Sequence, residues 1–137
     1  MDGLDRDDQF CVLKDKIKKI DWTLPLKTIS EANISQHWTA KKKRHDQQKR
    51  MIGMYWLIHR PSIKLPCEVI LTRLAPGRLD SDNLPVSMKW IRDSIANHLI
   101  SGLPPGRADD SPLITWTYSQ QKSKVYQVNV IINEIIS

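Results

Sequence analysis

The pattern of apolar and polar positions along the chain predicts a small α/β protein. Over residues 20–26 apolar residues alternate with polar ones or proline, which is the period of a half-buried strand. Pro25 favours a position at a sheet edge or near the strand end. Residues 67–74 form a second apolar segment of strand length, which ends before Pro76 and Gly77.

Two further segments have the length and pattern of helices. We expect the longer one over residues 36–59, ending at Arg60-Pro61 because a residue before proline disfavours helical geometry. Its first half is strongly polar and its second half is apolar, so its C-terminal end should lie in the core. Over residues 84–99 apolar side chains recur at helical spacing, and Pro85 is tolerated because it lies in the first turn.

The last part of the chain predicts two more strands, over residues 113–119 and 125–135, joined as a hairpin through residues 120–124. The resulting order, βαβαββ, predicts one small α/β domain with a mixed sheet and helices packed on it. At 137 residues the chain can bury a core without disulfides or structural metals. We expect a flexible or weakly structured arm over residues 1–16 and the domain over residues 17–137.

Charge adds the expectation of a polyanionic partner. The chain has a net charge of +6, and six of its 21 lysines and arginines fall within ten residues, which form one basic segment: Lys41, Lys42, Lys43, Arg44, Lys49 and Arg50. Such clustering indicates a local electrostatic surface. The acidic first residues lack the hydrophobic segment of a signal peptide, and no apolar run is long enough to span a bilayer. We therefore expect no membrane partner. Cys11 and Cys67 form no metal-ligand or redox spacing, and we expect a cytoplasmic protein with reduced thiols.

Two acidic segments stand out against this basic background. Asp80, Asp82 and Asn83 follow the second predicted strand, and Asp109-Asp110 precede the third. Carboxylates are the ligands that Mg²⁺ prefers, although Asp-Asn is also a good helix N-cap and Asp-Asp is ordinary turn chemistry. If the second and third strands are neighbours, we expect the two acidic segments to converge at one end of the sheet.

Lys89 and Asp93 lie four residues apart on the second predicted helix and therefore share a face. Their ordinary interpretation is a surface ion pair, although a lysine beside carboxylates could hold a phosphate. The histidines have no zinc-ligand spacing. We expect His45 to be solvated and His98 to be a packing or surface residue.

These motifs resemble those of the RusA-type Holliday junction endodeoxyribonucleases of phages and prophages. The resemblance runs from Leu24 to the C-terminus, with its most specific part in residues 79–84 and in Lys89 with Asp93, followed by Asp109-Asp110. Residues 30–33 with His37-Trp38 are similar to the N-terminal motif of the family. The interval from Asp82-Asn83 to Lys89 is longer than in the best-known members and includes Pro85.

The resemblance implies a homodimer that cuts four-way DNA junctions by paired nicks with Mg²⁺, for which Mn²⁺ can substitute. It implies that Asp80, Asp82 and Asp110 hold the metal and that Lys89 is the catalytic lysine. Asn83, Asp93 and Asp109 would support these groups, and Asp109 could exchange roles with Asp110. The basic segment would grip the flanking duplex.

Two other functions fit the same residues. The carboxylates could serve only as caps in a non-catalytic nucleic-acid-binding module. Alternatively, the protein could be a nuclease that prefers other branched DNA, such as flaps or replication forks. Metal-dependent cleavage separates the first alternative from a nuclease, and a comparison of branched substrates separates the second from a junction resolvase.

Overall fold

A computed structural model describes residues 19–29, 38–104 and 106–135 of the chain. It confirms the predicted class, a small single α/β domain built on a mixed four-stranded sheet. The predicted arm over residues 1–16 and most of the N-terminal family-like motif lie outside these residues. The elements, in chain order, are β1 (Lys19–Leu24), α1 (Trp38–His59), β2 (Cys67–Ala75), α2 (Asn83–Ser87), α3 (Lys89–Leu99), a 3₁₀ turn (Ala108–Asp110), β3 (Ile114–Lys122) and β4 (Gln127–Glu134).

The sheet has the order β1-β4-β2-β3. β2 and β3 are parallel over nine residues, from Cys67 opposite Ile114 to Ala75 opposite Lys122. β4 runs antiparallel to both β1 and β2, between which it lies. The segment containing α2 and α3 is therefore the crossover connection that a parallel pair requires.

The predicted hairpin between the last two strands is wrong, because β2 separates β3 from β4 in the sheet. The short connection after β3 crosses the end of β2, where the Ser123 amide donates a 2.9 Å hydrogen bond to the Ala75 carbonyl. Side-chain composition explains this order. β4 carries buried Val128, Val130 and Ile132, which suits a central strand, whereas β3 is rich in Thr, Ser and Gln and lies at the edge.

The predicted second helix is interrupted at Met88, whose φ of −103° and ψ of 1° separate α2 from α3. The Ser87 hydroxyl donates a 2.7 Å hydrogen bond to the Leu84 carbonyl. Hydrogen bonds of this kind from serine compete with regular helical bonding and bend helices. α3 then begins at Lys89, so the break determines the direction in which the lysine and the residues after it project.

The core lies between the helices and one face of the sheet. Alternate residues of β2 are buried, including Val69 and Leu71, as a strand with one covered face requires. The apolar stripe predicted for the second helix is also buried at Met88, Ile91 and Ile95. Among the residues that the structure describes, none of the helices combines the length and the apolar content needed to cross a bilayer.

Candidate nucleic-acid and metal site

The basic segment occupies the N-terminal half of α1. Lys42 and Lys43 line one shallow cavity together with Trp38 and Arg50, while Lys49 lines a different cavity that faces α3. Lys42 also forms an exposed ion pair with Asp46, with Nζ and Oδ2 3.2 Å apart. The helix thus presents cations in two directions, one outward and one toward the region of Lys89.

The first acidic segment lies beyond the C-terminal end of β2. Gln120 anchors it to β3 by accepting a 3.0 Å hydrogen bond from the Leu79 amide and donating a 2.7 Å bond to the Leu79 carbonyl. Asp80 and Asp82 are exposed. Asp82 occupies the N-cap position of α2, but its side chain makes no capping hydrogen bond. The structural alternative for Asp82, a helix cap, therefore lacks the hydrogen bond that defines such caps.

The second acidic segment is the 3₁₀ turn that precedes β3, and Arg92 of α3 holds it. Arg92 Nη2 donates a 2.9 Å hydrogen bond to the Asp109 carbonyl, and Arg92 Nε lies 3.2 Å from Asp109 Oδ2. The indole Nε1 of Trp116 donates a 3.1 Å bond to the same carbonyl. Asp109 is half-buried, whereas Asp110 is exposed. Of the two acids, Asp110 therefore has its carboxylate more open to a ligand.

The expectation that the two acidic segments converge is wrong for a single chain. β2 and β3 are indeed neighbours, but they are parallel. Asp80 follows the end of β2, while Asp110 precedes the start of β3, so the two carboxylates flank opposite ends of the strand pair. Tyr118 lies between them, because it lines the cavity of Asp80 and its hydroxyl accepts a 2.9 Å hydrogen bond from Arg92.

The separation of the two acidic segments bears on whether one chain can bind a metal ion. Within the residues that the structure describes, no group of three or more His, Cys, Asp or Glu side chains is arranged to hold one. In this part of the chain, Asp80, Asp82 and Asp110 are accordingly not gathered into one such group.

Asp93 contacts the second acidic segment. Its pKa is raised by burial first and then by the neighbouring carboxyl group of Asp109. Lys89 and Arg92 oppose this shift. Asp93 therefore lies beside Asp109 and Arg92 as well as beside Lys89.

A cavity of about 670 Å³ brings together residues that the sequence could not connect. Lys89, Asp93, Asp109 and Asp110 line it from α3 and the 3₁₀ turn, and Lys49 lines it from α1. The remaining wall includes two residues that sequence reasoning missed, the aromatic residues His45 and Trp90.

His45 was expected to be solvated, and the structure corrects this. Its ring stacks on the indole of Trp90 with centroids 4.2 Å apart and an interplanar angle of 29°. Lys89 Nζ lies 5.4 Å from the centroid of the same indole. His98, expected to be a packing or surface residue, stacks on Trp56 with centroids 5.0 Å apart.

Comparison with known proteins does not identify the chain: no protein-family model matches the sequence, and neither does any curated protein.

Proposed function

We propose that this protein is a Mg²⁺-dependent, structure-specific endodeoxyribonuclease that resolves four-way DNA junctions in recombination and repair. The main support is the shared cavity in which Lys49 and Lys89, from two different helices, lie beside the carboxylates of Asp109 and Asp110. Cations that bind a phosphodiester next to carboxylates that can hold a metal are the groups required for phosphodiester hydrolysis. We also propose that the protein is located in the cytoplasm.

In this proposal Asp80, Asp82 and Asp110 hold the metal, and Lys89 contacts the scissile phosphate. The two acidic segments flank opposite ends of β2 and β3, and we infer from this that the metal site is completed between two chains of a homodimer. Asp80 and Asp82 of one chain then act with Asp110 of its partner. A bound Mg²⁺ would supply an activated water and offset charge on the phosphate. A two-fold dimer contains two such sites, which suits paired nicks in symmetric strands.

The basic segment of α1 binds the duplex arms. Its exposed side chains, including Lys42, Lys43 and Arg50, contact phosphates without reading sequence. Such contacts release counterions, so binding weakens steeply as salt is raised.

A non-catalytic module that binds branched DNA is the second candidate. One observation favours it, namely that the described part of a single chain holds no group of three potential metal ligands. In that case the carboxylates have structural roles, as Asp109 does in its contacts with Arg92.

A substrate panel tests these candidates. Labelled four-way junctions, flaps, forks and linear duplexes of matched sequence are incubated with the protein in Mg²⁺ or in EDTA. The proposal expects Mg²⁺-dependent cleavage with the junction cut fastest. Faster cleavage of flaps or forks would indicate a nuclease that prefers those branched structures over four-way junctions. Binding of branched DNA without cleavage in either condition would favour the module.

A further inference from the structure

The rings of His45 and Trp90 stack face to face in the wall of the cavity between α1 and α3, so each covers one face of the other and an aromatic pair lines the wall. Trp90, in the first turn of α3, is exposed over 39% of its surface, which leaves part of its indole accessible to a ligand. Because the two rings come from different helices, their stack is held by the packing of those helices and exists before any ligand binds.

The cavity also contains cations that are available to a ligand. Two of its acids already have cationic partners, Asp46 with Lys42 and Asp109 with Arg92, whereas Asp110 is exposed. Lys49 and Lys89 are exposed at its rim. The cavity therefore offers an aromatic surface flanked by two lysines.

Size and chemistry together indicate the ligand class. A volume of about 670 Å³ lies within the range of cavities that hold a small organic ligand, roughly 300–1,000 Å³. Aromatic rings next to cations are the combination on which proteins stack unpaired bases while neutralising the adjoining phosphates. A base inside a continuous duplex is covered on both faces and could not enter, whereas a base at a branch point can leave its stack.

From these observations we propose that the His45–Trp90 surface binds one unstacked nucleobase, with Lys49 and Lys89 on the phosphates beside it. The site recognises a nucleotide at the branch point and so distinguishes branched DNA from linear duplex. This inference rests on the proposed function for its choice of DNA substrate, but it concerns binding and requires no cleavage.

Photocrosslinking tests the inference in EDTA, where catalysis plays no part. Four-way junctions carry 5-iododeoxyuridine either at the branch point or within an arm, and crosslinked peptides are identified by mass spectrometry. The expected result is a crosslink at Trp90 from the branch-point label and none from the arm label. A crosslink at Trp38, the exposed tryptophan at the start of α1, in place of Trp90 would overturn the inference.

Binding by variants provides the second measurement. Trp90→Leu should weaken junction binding about tenfold, because it removes the stacking of one base, and should leave binding of linear duplex unchanged. Trp90→Phe, which retains an aromatic ring, should keep most of the affinity. Equal junction affinity of Trp90→Leu and the wild type would contradict the inference, as would equal losses for junction and linear duplex.

The outcome separates this inference from the proposed function. A Trp90 crosslink in a protein that never cleaves DNA would support the nucleobase site and remove the nuclease. Junction cleavage with neither the Trp90 crosslink nor the Trp90→Leu binding defect would support the nuclease and overturn the nucleobase site. Failure to bind any branched DNA would overturn both.

Discussion

Arg92 Nη2 donates a 2.9 Å hydrogen bond to the carbonyl oxygen of Asp109, and this contact ties α3 to the 3₁₀ turn that carries the second acidic segment. The same guanidinium reaches the hydroxyl of Tyr118 and lies 4.7 Å from the centroid of the Trp116 ring. One side chain therefore connects the crossover helix, the turn and β3.

Replacing Arg92 should loosen this connection. We expect Arg92→Met to lower the free energy of unfolding by about 2–3 kcal/mol, because it leaves the partly buried Asp109 without its cation and hydrogen bond. Urea unfolding measures the loss. Arg107→Met, the same change at an exposed arginine directly before the 3₁₀ turn, should cost no more than about 0.5 kcal/mol. Equal losses for the two variants would show that the Arg92 contacts contribute little.

The Asp93–Asp109 contact predicts a pH dependence of stability. The pKa of Asp93 is raised in the folded protein, so the native state binds more protons than the unfolded chain between the ordinary and the raised pKa. The free energy of unfolding should therefore fall as pH rises through that window, and Asp93→Asn should remove this loss.

Urea unfolding at about pH 3 and about pH 8 measures this effect, since the lower value lies below the ordinary pKa of an aspartate, about 3.9, and the higher value lies well above it. Relative to wild type, Asp93→Asn should be more stable at the higher pH than at the lower one. Asp82→Asn, at an exposed carboxylate with no capping hydrogen bond, is the matched control. An Asp93→Asn variant with the pH dependence of the wild type would contradict the prediction.

The basic segment predicts a salt effect. Changing Lys42, Lys43 and Arg44 together to alanine should weaken junction binding and reduce the slope of log affinity against log salt by about 2–3, since each phosphate contact contributes roughly 0.9. A fluorescence titration over several salt concentrations measures the slope. The control changes Lys19, Lys64 and Lys124, exposed lysines in other parts of the sequence, to alanine and removes the same charge. Identical slopes for the two triple variants would place the DNA elsewhere.

The proposed completion of the metal site between chains predicts recovery of activity on mixing. Asp82→Asn and Asp110→Asn should each abolish cleavage and retain junction binding. After subunit exchange, the mixed dimer contains one site with both substitutions and one site with neither. Nicking of labelled junctions should therefore reappear in the mixture. If each site is built from one chain, both sites of the mixed dimer are defective and no activity returns.

Local patterns predicted the elements well but their arrangement less well. The periods of two and of about 3.6 residues located β1, β2 and α3, because each period depends on one buried face. The pattern does not state which strands pair, so the hairpin prediction failed where polar β3 took the edge position. The same limitation applies to the site. Asp80 and Asp110 were recognisable singly, but their separation follows from the parallel direction of β2 and β3. The stacking of His45 on Trp90 joins two helices and has no local signature.

Cleavage of a labelled four-way junction is the most direct test of the nuclease proposal. The reaction is run with Mg²⁺, with EDTA, and with Asp82→Asn in Mg²⁺, and binding is measured for all three. The account predicts paired symmetric nicks with wild-type protein and Mg²⁺, and none in the other two reactions although the junction remains bound. Binding without nicks in every reaction would contradict the account, as would undiminished nicking by Asp82→Asn.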